Sequence, residues 1–147
     1  MSGSIGDEYN ILLSGEISAV ETYDLALRRN FDADMTSDLY GCRNCHNKRV
    51  EQLKQLVVDN GVEPCTGSGP YGAIAKMIED SASTPKAALQ LLEELEAERL
   101  VQYESQIKLV SPEVLPVLEN VLLPEQHKTH LVISARLREM PDIKEVA

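Results

Sequence analysis

The chain has 147 residues, enough for one domain with a proper core and too few for two. Hydrophobic residues make up 43% and charged residues 26%, which excludes a disordered chain, and five Tyr, one Phe and no Trp disfavour a β-sandwich. The formal charge of −10, from 24 acidic against 14 basic side chains, argues against nucleic-acid binding through a basic face.

In chain order, apolar spacing predicts a helix over 5–30, with Tyr9, Leu12, Leu13, Val20, Tyr23 and Leu27 on one stripe. A second helix is predicted over 36–60, aligning Leu39, Val50, Leu53 and Val57, and Asn60-Gly61 ends it as a left-handed cap. Residues 62–70 read as loop and 71–80 as a short helix. The third long helix starts at Thr84-Pro85, a cap followed by a first-turn proline, and carries Leu89, Leu92, Leu100, Tyr103, Ile107 and Val110. Ser111-Pro112 repeats that chemistry and opens a fourth segment reaching Met140. Pro124 removes a backbone donor inside this segment, which predicts a kink or break at Leu123–Pro124.

No apolar run of membrane-spanning length occurs, so no membrane span is expected. Met-Ser-Gly-Ser-Ile-Gly-Asp-Glu has neither the basic nor the apolar region of a signal peptide, and a cytoplasmic location is expected. Cys42, Cys45 and Cys65 are accordingly read as thiols or ligands.

Short links join helix one to two and three to four, making two antiparallel hairpins. About two dozen residues separate the hairpins, long enough to cross a bundle end to end. Four helices with one long crossover is the ferritin-like arrangement, so the chain is read as a single all-α, ferritin-like domain over 1–147.

One polar side chain interrupts each apolar stripe near its centre: Glu16, His46, Glu96 and His130. Two carboxylates and two imidazoles facing one interior are a metal-ligand set, for Fe, Mn or Zn. The rival reading is a set of buried Glu–His hydrogen bonds with no metal. Glu16 precedes Tyr23 by seven residues and Glu96 precedes Tyr103 by seven, so the halves form a weak repeat. Each Tyr is placed to hydrogen-bond a ligand across the bundle, or simply to pack.

Gly15-Glu16, with Ala19 and Tyr23 beyond, resembles the first helix of rubrerythrin-type ferritin-like proteins. More of the chain, about 11–137, resembles small bacterial ferritin-like proteins of unassigned activity. Those pieces are His46 with Leu53, Gly61-Val62-Glu63-Pro64, residues 68–76, Ala88-Leu89, Glu96 with Tyr103, and Leu122-Leu123-Pro124-Glu125-Gln126 leading to His130. The resemblance implies a four-helix bundle with a di-iron-type site and iron, oxygen or peroxide chemistry. The complete pattern has Glu-x-x-His on helices two and four. Here Arg43 stands three before His46 and His127 three before His130, so both bridging carboxylates are missing. That implies an incomplete site, mononuclear or dinuclear, with His127 and Cys42 as extra ligands.

Cys42-Arg43-Asn44-Cys45-His46 also spells a c-type haem attachment motif, disfavoured because attachment requires export. The leading expectation is therefore a ferritin-like metal-binding protein, in a homodimer. The alternative is a metal-free ferritin-like scaffold or interaction protein.

Overall fold

The computed structural model describes residues 4–67 and 84–140, and among these there are helices and no strands. None of the helices is long and apolar enough to cross a membrane. The first, α1 (Ile5–Ala26), opens on a capping box: Ser4 Oγ accepts from the Asp7 amide at 3.1 Å and Asp7 Oδ2 from the Ser4 amide at 3.2 Å. Six residues on, Asp32 Oδ1 accepts from the Met35 amide at 2.7 Å and starts α2 (Ala33–Asp59). Gly61, at φ 75°, ends α2 as predicted, with the Val62 amide on the Val57 carbonyl and the Gly61 amide on that of Val58. Thr84 caps α3 (Pro85–Gln106) through the Ala87 amide, with Pro85 in the first turn.

The fourth segment stays helical from α4 (Leu115–Val117) through a π-helical stretch (Leu118–Leu122) into α5 (Leu123–Glu139). The disruption expected at Leu123–Pro124 takes the form of this widened turn. In an α-helix the proline ring would crowd the Asn120 carbonyl, and the π turn relieves that crowding while the Leu123 amide bonds Leu118. Ser111 differs from expectation. Its hydroxyl and amide both donate to the Glu8 carboxylate, at 2.5 and 2.7 Å, tying the segment to α1 instead of capping it.

Cross-helix pairs give the directions. Glu16 faces His46 while Asp24 faces Arg43, so α1 and α2 are antiparallel. Glu96 faces Gln126 while Glu93 faces His130, so α3 and α5 are antiparallel. Tyr23 reaches Glu96 and Tyr103 reaches Glu16, which sets α3 against α1. Hence α2 and α3 run the same way. The short helix expected over 71–80 lies outside the described residues.

The apolar core falls into two halves. One gathers Tyr23, Met35, Leu39, Leu89, Leu92 and Ile133; the other gathers Leu12, Leu13, Leu53, Val57, Leu118 and Leu122. Between them lies a polar layer.

Two glycines of opposite character test this account. Gly61→Ala should cost about 1–2 kcal/mol because an L side chain is strained at that φ. Gly41, helical and with nothing within 4 Å of a Cβ, should gain about 0.5–1 kcal/mol on replacement by Ala. Urea denaturation of the two variants reads both signs.

Candidate functional site

The layer is built from side chains that leave apolar stripes at mid-helix. Glu16 on α1, His46 on α2 and Glu96 on α3 are all fully buried. His46 bridges the carboxylates: Nδ1 lies 2.6 Å from Glu16 Oε1 and Nε2 lies 2.7 Å from Glu96 Oε2. Both neighbours are acceptors, so a ring carrying a proton on each nitrogen satisfies both.

Every remaining carboxylate oxygen is also engaged. Glu16 Oε2 accepts from Arg49 Nη1 at 3.2 Å, Arg99 Nη2 at 3.5 Å and the Tyr103 hydroxyl. Glu96 Oε2 accepts from the Tyr23 hydroxyl at 2.5 Å. Glu96 Oε1 accepts from Gln126 Nε2 and Thr129 Oγ1, both at 2.7 Å. Arg49 continues to α5, donating to Gln126 Oε1 at 2.6 Å and Thr129 Oγ1 at 3.1 Å. Gly15 leaves room for this: a Cβ there would collide with the Arg99 guanidinium.

Burial alone would raise Glu16, but Arg49, His46 and Arg99 outweigh it and hold its carboxyl well below the usual range. Burial likewise works against charge on Glu96, and His46, Tyr23 and Thr129 bring it down. For His46, burial favours the neutral ring, yet Glu96 and Glu16 raise its affinity for the proton. Burial, with Glu96 beside Tyr23 and Glu16 beside Tyr103, pushes both phenols up, so each stays a donor.

Three of the four expected metal ligands thus meet, and the fourth does not. His130 is partly exposed and pairs with Glu93 at 3.2 Å, and His127 is exposed. The inward positions on α5 belong to Gln126 and Thr129. The expectation that a kink turns His130 inward is corrected on this geometry, as is the view of His127 as a neighbour of the site. Tyr23 and Tyr103 do cross the bundle to the opposite Glu, as the repeat implied. Cys42 packs beside this layer, its Sγ 4.0 Å from the Thr129 carbonyl, and burial pushes it up to about 12.

Sequence reasoning passed over Arg49, Arg99, Gln126 and Thr129. Cys42, His46, Arg49 and Leu53 do follow one helical stripe, although arginine is seldom fully buried.

The donor set fits a metal poorly. Two carboxylates already face three cationic side chains, so a divalent ion would add charge to a layer in cationic excess. His46 has no ring nitrogen left over for such an ion, or for a haem iron, while it bridges both glutamates. Among the described residues no group of three or more His, Cys, Asp or Glu side chains is arranged to hold a metal ion.

The pKa directions set the pH dependence. The raised His46 pKa contributes stability fully present below its ordinary value of 6.5 and lost as pH rises through the folded value. The lowered Glu16 and Glu96 values contribute stability present above 4.5 and lost as pH falls through the folded ones. Stability from this layer should therefore be greatest between these two ordinary values. His46→Gln should cost about 3–5 kcal/mol near pH 5.5 and abolish the decline toward about pH 8.5, measured by urea denaturation at both.

No family model, no curated protein and no solved structure matches the chain, so the reading of this layer rests on its own geometry.

Proposed function

We propose that this chain is a ferritin-like four-helix protein whose central layer is an internal ion-pair network, and that it serves as a metal-free scaffold or interaction protein. The observation that carries the reading is Arg49, a buried guanidinium that joins Glu16 to Gln126 and Thr129. In the ferritin-like di-iron arrangement two helices each give one Glu and two give Glu-x-x-His. The lone glutamates have counterparts in Glu16 and Glu96. At the same i, i+3 spacing α2 presents His46 and Arg49, and α5 presents Gln126 and Thr129. Donors and cations stand where ligands would. A homodimer belongs to this proposal, with exposed Leu109 and Leu131 among the apolar side chains open to a partner.

A second reading is favoured by the convergence of Glu16, His46 and Glu96 on one point. On it, the three would hold iron, manganese or zinc once His46 gave up its bridging proton, and the metal would supply oxygen, peroxide or iron handling. Elemental analysis after anaerobic purification with iron supplied separates the two. The metal-free reading expects background metal in the parent and in Glu16→Ala. It also expects metal uptake when His46→Glu, Arg49→His, Gln126→Glu and Thr129→His are combined. Near-stoichiometric metal in the parent that disappears in Glu16→Ala would overturn it in favour of the second reading.

A further inference from the structure

An open groove of about 340 Å³ runs between α2 and the fourth segment, over the buried Leu53 and Leu122. Leu56, Val117 and Val121 line it and keep part of their apolar surface in solvent. Gln52 and Gln55 form its rim on α2, and both belong to a stripe of exposed side chains: Lys48, Gln52, Gln55 and Asp59. Steps of four, three and four residues put all four on one face of the helix. The order along that face is cation, amide, amide, anion. Lys48 with Asp59, and Gln52 with Gln55, are centred on the same point between Leu53 and Lys54.

A face with this order is complementary to its own reverse. When a second α2 lies antiparallel across that midpoint, each Lys48 stands level with the partner's Asp59 and each Gln52 with the partner's Gln55. An amide both donates and accepts, so the glutamines pair as the charges do. Gln55 also holds Asp59 on the stripe, donating from Nε2 to Oδ1 at 2.8 Å. Parallel alignment would set lysine on lysine and aspartate on aspartate, which repel. Val121 lines the groove with Gln52 and Gln55, so the twofold that pairs the glutamines also brings the two apolar walls together.

We propose that this face is an isologous homodimer interface, in which α2 packs antiparallel on α2 of a second copy and the apolar groove is covered. The occupant is the chain itself because the charge order on the rim matches its own reverse in a single register. The apolar walls supply the attraction, and the rim charges fix direction and register. This inference rests on the homodimer reading above and gives that dimer its surface.

The test uses the full chain and sedimentation equilibrium, with variants at exposed positions that leave the bundle interior untouched. The parent should be dimeric at about 100 μM. Lys48→Asp and Asp59→Lys should each weaken dimerisation about tenfold or more, because each creates two like-charged pairs across the twofold. Mixing the two variants should restore dimerisation, since in the mixed dimer both rim pairs again join opposite signs. Parental affinity in both single variants, or a mixture no tighter than either alone, would overturn this surface and leave the homodimer reading standing. A monomeric parent would overturn both and leave the groove to a different partner.

Discussion

An imidazole with a carboxylate at each ring nitrogen is the constraint to which the rest of the bundle answers. His46 comes from α2 and its partners from α1 and α3, so one side chain sets the mutual register of three helices. Arg49, one turn further along α2, ties the same point to α5. A slip of any helix by one turn, about 5.4 Å, would strand a buried carboxylate. The apolar halves on either side lack that discrimination, because leucine-rich faces pack in several registers. Buried ion pairs of this kind add little net stability over apolar packing. Their effect here is to leave a single arrangement in which no charge is orphaned.

The layer is symmetric where it is neutral and asymmetric where it is charged. Tyr23 of the first hairpin donates to Glu96 of the second, and Tyr103 of the second donates to Glu16 of the first. This exchange is the structural meaning of the Glu-to-Tyr repeat. The second helix of each hairpin departs from it: α2 gives the cations His46 and Arg49, and α5 gives the neutral donors Gln126 and Thr129. Cations from both sides would leave a large buried positive excess. Neutral donors from both would leave Arg99 alone against two buried carboxylates.

The helices, their caps at Thr84 and Gly61, and the central placement of Glu16, His46 and Glu96 were legible because each rests on local rules. Period, capping chemistry and a polar residue centred on an apolar stripe need no knowledge of neighbours. The paired directions of α2 and α3 followed from linker length. Arg49 was illegible for the opposite reason. Its place on the stripe of Cys42, His46 and Leu53 is a local signal, but the burial of a charge there depends on Glu16, Gln126 and Thr129 arriving from other helices. The same holds for Gln126 and Thr129, whose inward positions depend on a change of helical register upstream.

That change of register decides the chemistry of the fourth wall. In an unbroken α-helix continuing from Val114 and Leu118, steps of about 100° per residue would bring Val121, Glu125 and Val132 to the interior. The π turn inserts one residue, and the buried positions become Leu122, Gln126, Thr129 and Ile133. A shift of one residue moves Gln126 in where Glu125 would have stood, and it falls short of bringing His130 round. Pro124 therefore acts on the centre of the bundle without touching it. It widens the turn before it, and this replaces a third buried carboxylate by an amide that can donate to Glu96 and accept from Arg49. The displaced Glu125 is left at the edge of the α2–α5 contact, where its carboxylate meets the thiol of Cys45.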